Sequence, residues 1–142
     1  TILKPAFLTD LERHLQKNKD KNLMIGTTTV KPHENKSWYA FLWMKFYDLA
    51  HKYTKTSYAI QIMNASLKDK VRFNEEISLA EDLELIQDCL DHGAFFHFNT
   101  SHVFTSTRRF EKVGWTRLFI KWTYDAFMYK FRNIKPDYPV IR

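Results

Sequence analysis

Three histidines recur at five-residue intervals, and their chemistry is the first in this sequence that could form a site. His92, His97 and His102 share a region with Asp88 and Asp91. Imidazole and carboxylate groups together can bind a metal ion or exchange protons near neutral pH. The spacing matches no metal-binding motif, and a single cysteine cannot supply a ligand pair. We therefore expect no metal and no cofactor here, and we interpret these histidines as ordinary strand or surface residues.

Polar side chains in the segment 48–68 have the chemistry of nucleic-acid recognition. Hydroxyl and lysine groups suit phosphates, and side-chain amides suit base edges. Ala50 is small enough to lie beneath a crossing helix, and Ile60 and Met63 have the spacing of residues that would hold a second helix against the first. This stretch resembles a helix-turn-helix, which implies a second, recognition helix from Ser57 to about Lys70. The residues that would then face nucleic acid are Lys55, Ser57, Tyr58, Gln61, Asn64 and Lys68.

Positive charge is concentrated towards the carboxyl end of the chain. The net charge is +6, and residues 107–135 hold eight basic side chains against two acidic ones. Residues 75–91, in contrast, hold seven acidic side chains and no lysine or arginine. Two interpretations stay open: the two segments neutralise each other, or the basic segment faces a polyanion such as nucleic acid or anionic lipid. In the second case the phosphate contacts come from Arg108, Arg109, Lys112, Arg117 and Lys121.

Hydrophobic spacing predicts the elements that carry these residues. It indicates a helix over 9–18, a strand over 23–30 and a helix from its cap Ser37 to about Tyr53. This last helix is apolar on several sides, so we expect it to be central to the core. Ser78 and Glu81 form a further capping pattern, and their helix should stop at Gly93.

The second half of the chain predicts a hairpin and a long final helix. Residues 94–98 and 102–106 have the pattern of two paired strands, with the turn at 99–101. His97 and His102 would face each other across this hairpin. A helix over 107–135 follows, and its apolar residues form two stripes, which is typical of a helix wedged between layers or used in an interface. Cys89 lies on the apolar side of its helix and should be a buried small residue.

Length and composition favour one globular unit. The chain has 142 residues with only three glycines and four prolines, so we expect a single domain over 1–142. Its core would cover about 9–106, with the C-terminal helix at 107–135. The expected class is α+β, mainly helical, with a small antiparallel hairpin and a long C-terminal helix. The order of elements resembles winged-helix domains, and residues 79–104 resemble the DEP domain, a winged-helix relative.

These observations lead to three functional hypotheses. The winged-helix resemblance and the localised positive charge favour a non-enzymatic, regulatory nucleic-acid-binding domain. The DEP resemblance implies, as an alternative, a module that binds proteins or anionic membranes, and the aromatic C-terminal helix could join copies into a homo-oligomer. A second alternative is a small nuclease or toxin that uses His97, His102 and Arg108. With no secretory signal and a lone cysteine, we expect an intracellular protein, cytoplasmic or nuclear.

Overall fold

The computed structural model of the chain describes residues 1–34, 36–57, 59–72 and 81–132, and for residues 81 and 125–132 it describes the backbone alone. This part of the chain contains five α-helices, two short 3-10 helices and two three-stranded sheets. The α+β class is therefore confirmed. The strands are β1 (Ile2–Leu3), β2 (Leu23–Thr28), β3 (Lys31–Pro32), β4 (Ile62–Met63), β5 (Ala94–Phe98) and β6 (Val103–Thr105). The helices are α1 (Ala6–Lys17), α2 (Trp38–Thr54), α3 (Glu81–Leu90), α4 (Arg108–Val113) and α5 (Trp115–Arg132).

Two parallel strand pairs follow one another along the chain. In the first sheet β2 lies between β5, to which it is parallel, and β4, to which it is antiparallel. In the second sheet β6 lies between the parallel β3 and the antiparallel β1. Thr29 joins the two pairs, because its hydroxyl donates to the carbonyl of Thr100 at 2.5 Å and accepts from the Thr100 amide at 2.7 Å. The parallel pairing is thus interrupted at this point and then resumes.

Helices cover both faces of the first sheet. Phe7 and Leu11 of α1 pack with Phe96 and Phe98 of β5 in one buried cluster. Side chains of α3 pack with Ile25 of β2 in another, and these are Leu85, Ile86 and Cys89. Because neighbouring residues of a strand point to opposite faces, the two clusters lie on opposite sides of the sheet. The buried position expected for Cys89 is confirmed.

A third cluster joins α2 to α4 and α5. Its buried residues come from all three helices: Ala40, Met44, Tyr47, Phe110, Trp115 and Leu118. The start predicted for α2 is confirmed, since Ser37 caps it by accepting a hydrogen bond from the Ala40 amide. The expectation that α2 is central to the core is wrong for half of its surface, where large apolar side chains are exposed. The reason is that, within the described part of the chain, α4 and α5 cover one side of this helix and leave the other uncovered.

The helix expected from Ser57 to Lys70 is not formed. Residues 62–63 are β4, and residues 65–67 are a 3-10 helix capped by Asn64. The apolar residues that gave a helical spacing serve different clusters: Ile60 packs against the α1 cluster and Leu67 belongs to the α3 cluster. The segment 59–67 lies at the edge of the sheet and contributes side chains to both of its faces. It is therefore mostly extended, and the helical spacing of its apolar residues was misleading.

The hairpin expected between 94–98 and 102–106 is also wrong. β5 and β6 belong to different sheets. β5 pairs in parallel with β2, and β6 pairs in parallel with β3. Hydrogen bonds link Thr29 to Thr100 at the position where a turn was expected, and β6 continues in the same direction as β5.

The final helix begins as predicted but is divided in two. Gly114 separates α4 from α5. Its backbone φ is +94°, a value that residues with a side chain rarely adopt. Before α4, the Glu34 carboxylate accepts the Thr107 amide at 2.8 Å and the Ser106 hydroxyl at 2.8 Å. The Thr107 bond, followed by the Ser106 bond, lowers the pKa of Glu34 to about 2 against desolvation. Glu34 therefore anchors the start of α4. The capping pattern at Ser78 lies outside the described residues, whereas α3 ends before Gly93 as expected.

Candidate interaction surface

The exposed side of α2 presents large apolar side chains along its whole length. Trp38 is 75% exposed, Leu42 56%, Leu49 53% and Tyr53 77%. Their spacing places them in one stripe along the helix, because residues three, four, seven and eleven apart share a face. Tyr39, Phe41 and Phe46 flank the stripe and are also exposed. The helix is therefore apolar both where it is buried and where it meets water.

α5 also exposes apolar side chains. Its buried side holds Trp115 and Leu118, whereas Ile120 and Tyr124 are exposed. The rings of Phe46 and Phe119 meet at 5.0 Å between centroids, at the edge where the two helices pack together. We call the exposed apolar residues of the two helices together the α2–α5 face. It consists of Trp38, Tyr39, Phe41, Leu42, Phe46, Leu49, Tyr53, Ile120 and Tyr124.

The charges on the exposed side of α2 are all positive. Lys45 and Lys52 lie among the apolar residues and are exposed, and Lys55 follows at the end of the helix. The one carboxylate of α2, that of Asp48, is buried and accepts the Val30 amide at 3.1 and 3.2 Å. Asp48 thus ties α2 to the strands and leaves no negative charge on the exposed side of α2. The α2–α5 face consequently combines apolar surface with lysine.

The basic residues predicted to contact phosphates are partly brought together. Arg108, Lys112 and Arg117 are exposed on α4 and the first turn of α5. Arg109 and Lys121 are half-buried and make contacts within the protein. Three of the five expected phosphate contacts therefore lie on accessible surface.

The residues predicted to read bases are placed differently from the expectation. Asn64 is engaged on both sides of its amide, which accepts from the Ser66 amide and donates to the Leu23 carbonyl. Gln61 donates to the Asp82 carbonyl at 3.4 Å. Lys68 is exposed in the turn after the 3-10 helix, and Ser57 is half-buried between α2 and β4. Tyr58 lies outside the described residues, and Lys55 caps α2 in a left-handed conformation. These residues do not form the face of a recognition helix.

The acidic helix α3 and the basic helices α4 and α5 pack in different clusters. α3 uses Leu85, Ile86 and Cys89 against the first sheet, whereas α4 and α5 pack on α2. Among the described residues, the two groups of helices therefore share no buried cluster, and both interpretations of the charge pattern stay open.

The three histidines are not gathered into a site. His92 accepts the Asn22 side-chain amide through its backbone carbonyl, and Nε2 of His102 lies 3.1 Å from a carboxylate oxygen of Asp10 in α1. His97 lies on β5, where burial, and then Lys52, lowers its pKa. Among the described residues, no group of three or more His, Cys, Asp or Glu side chains could hold a metal ion.

Sequence reasoning missed a buried histidine next to His97. His51 of α2 bonds to the hydroxyl of Thr56 at 2.5 Å, and its ring stacks on Tyr47. Burial, and then the neighbouring His97, lowers the pKa of His51 to about 4. Both rings are therefore neutral at physiological pH. A histidine inside an apolar helix was the available signal, but no pattern in the sequence indicated its partner.

Comparisons with protein-family models, with curated proteins and with solved structures find no match to this chain. The winged-helix and DEP resemblances stay predictions. Over the residues that the structure describes, no helix combines the length and apolar character needed to cross a bilayer. The geometry of the α2–α5 face is accordingly the basis of the functional argument.

Proposed function

We propose that this chain is a non-enzymatic module that docks on anionic membrane surfaces through the α2–α5 face. The observation that carries the proposal is the exposed side of α2, where apolar side chains and lysines are mixed and carboxylates are absent. Of the alternatives that the sequence left open, this one uses both the aromatic residues and the positive charge.

The area of the face exceeds what a water-exposed surface normally presents. Taking roughly 200 Å² for a large side chain, its seven exposed residues on α2 alone present on the order of 800 Å². The largest apolar patch on a typical monomer is about 300–600 Å². Exposed apolar surfaces above that size mark sites that bind a protein or a membrane, so we expect a binding partner for this face.

The composition of the face suits an anionic lipid surface. Trp38 and Tyr53 stand at opposite ends of α2, and tryptophan and tyrosine prefer the boundary between lipid and water. Lys45 and Lys52 can reach lipid phosphates while their stems lie along apolar neighbours. Each lysine near an anionic membrane contributes about 1 kcal/mol. The positive charge of the whole chain, +6, acts in the same direction.

Sedimentation with vesicles tests this proposal. We expect the protein to bind vesicles that contain phosphatidylserine, to bind phosphatidylcholine vesicles much less, and to be released by salt, which screens the lysines. A protein that ignores phosphatidylserine vesicles at low salt contradicts the proposal. Binding that is equally strong to both vesicle types removes the role given to the lysines.

Nucleic-acid binding is a second candidate, and Arg108, Lys112 and Arg117 support it because all three are exposed. With Gln61 and Asn64 engaged by the backbone, the binding would rest on phosphate contacts and be indifferent to sequence. Lys112→Ala should then weaken all sequences alike and reduce the salt dependence. The absence of a gel shift at low salt would exclude this candidate.

A further inference from the structure

A cleft lies between α1 and the segment that joins β5 to β6. Its volume is about 400 Å³, within the range of small-molecule sites. One wall is the face of α1 that carries Asp10, Arg13, His14 and Lys17, and the other is the segment 98–102. The segment follows the carboxyl end of a strand that is parallel to its neighbour, where open sheets commonly bind ligands.

The walls of the cleft are held in place by hydrogen bonds. The Thr100 amide and carbonyl are both bound to the Thr29 hydroxyl, and the His102 amide donates to the Thr100 hydroxyl at 3.2 Å. Asp10 connects the walls through one oxygen, which contacts His102 at 3.1 Å, while its other oxygen contacts Arg13 of the same helix at 2.9 Å. A ligand would therefore meet a site that is already formed.

The cleft is positively charged around an aromatic floor. Asp10 is its only carboxylate, and Arg13 and His102 already engage both oxygens. Lys17 is exposed, with no ion pair in the described part of the chain. At the base, the ring of His14 packs on Phe98 at 5.0 Å between centroids. Cationic and aromatic side chains that line one cleft suit a ligand with an anionic group and a flat apolar body.

The ring of His102 is oriented by Asp10. The carboxylate of Asp10 can only accept, so Nε2 of His102 donates to it. Nδ1 of the same ring is buried and has no hydrogen-bond partner.

We propose that this cleft binds a small aromatic phosphate monoester, with the phosphate between Arg13 and Lys17 and the ring beside His14 and Phe98. The site is separate from the α2–α5 face and does not depend on the membrane proposal. The phosphate gains charge-assisted hydrogen bonds, which are stronger than neutral ones, and the ring gains apolar contact.

Titration with phenyl phosphate, followed by nuclear magnetic resonance of backbone amides, tests this site. We expect saturable shifts confined to residues 10–17 and 98–102, and weaker binding of inorganic phosphate and of phenol, each of which supplies only half of the contacts. Lys17→Ala should weaken phenyl phosphate about tenfold, the value of one lost charge-assisted bond. Lys21→Ala is the matched control, since Lys21 is exposed close by but does not line the cleft.

Three outcomes of this titration would overturn the proposal. They are shifts that do not saturate, an equal loss of affinity in the two lysine variants, and inorganic phosphate that binds as tightly as phenyl phosphate.

Vesicle binding distinguishes lipid phosphate from the soluble monoester, because Lys17→Ala should bind vesicles like the wild type. If Lys17→Ala lost vesicle binding and kept phenyl phosphate binding, the cleft would not be the phosphate monoester site. If vesicles fail to bind the wild type and phenyl phosphate binds, the membrane proposal fails and the cleft stands.

Discussion

Removing two exposed leucines from α2 should weaken membrane docking without unfolding the protein. Leu42 and Leu49 expose 56% and 53% of their surface. Full burial of a leucine is worth roughly 1.5–3 kcal/mol, so covering the exposed half contributes about 1 kcal/mol for each residue. The double substitution Leu42→Ala and Leu49→Ala should therefore cost about 2 kcal/mol of docking, or about 30-fold in affinity. Vesicle sedimentation measures this loss directly.

The chain offers a matched control for this experiment. Leu8 is 68% exposed but lies on α1, which packs on the sheet through Phe7 and Leu11. Leu8→Ala should bind vesicles like the wild type. Because all three leucines are exposed, each variant should change the free energy of unfolding by no more than about 0.5 kcal/mol, which thermal unfolding can verify. Equal weakening by Leu8→Ala, or wild-type binding by the double variant, would refute the reasoning.

Three further predictions concern charge and protonation. Replacing Lys45 and Lys52 by glutamine should weaken binding to phosphatidylserine vesicles by about 2 kcal/mol, or about 30-fold, and flatten its salt dependence. Glu34→Gln should destabilise the protein at neutral pH by about 1 kcal/mol, a modest value because Glu34 is 40% exposed. The pKa of Glu34 in the folded protein is about 2, so the difference in stability between variant and wild type should disappear as pH falls from 4.5 to about 2. His51, whose pKa is lowered from 6.5 to about 4, should make the protein lose stability as pH falls through that range, by at most about 1.4 kcal/mol per pH unit, and His51→Gln should reduce the loss.

Each of these predictions has an outcome that would contradict it. An unchanged salt dependence in the lysine variant would show that the lysines do not meet lipid. Denaturant unfolding at a series of pH values tests the other two. A constant gap between Glu34→Gln and wild type across the acid range would mean that ionisation of Glu34 is not what anchors α4. A His51→Gln variant that loses stability in acid as steeply as the wild type would locate the acid sensitivity elsewhere.

Local signals in the sequence were sufficient for elements that depend on neighbouring residues. Ser37 caps α2 and the helix starts where the cap predicts, because capping and helical spacing are properties of a short segment. The exposure of one side of α2 could not be predicted in this way. Which side is covered depends on α4 and α5, and the sequence does not show how far Phe110 and Trp115 reach across it.

Long-range pairing decided the parts that the sequence did not predict. The apolar residues between 59 and 67 fit a helix by spacing, yet they lie at a sheet edge and pack on both of its faces. Thr29 meets Thr100, and Asp10 meets His102, although nothing near either residue in the chain indicates the partner. The cleft between α1 and the segment 98–102 arises from these contacts, so composition and spacing could not reveal it.

The most direct test of the membrane proposal measures how deeply α2 enters the lipid. Cys89 is fully buried, so a cysteine introduced at position 42 or at position 8 can be labelled selectively with a fluorophore. On phosphatidylserine vesicles that carry brominated acyl chains, the label on Leu42→Cys should be quenched and the label on Leu8→Cys should not. Equal quenching at the two positions, or none at position 42 while the protein is bound, would contradict docking through the α2–α5 face.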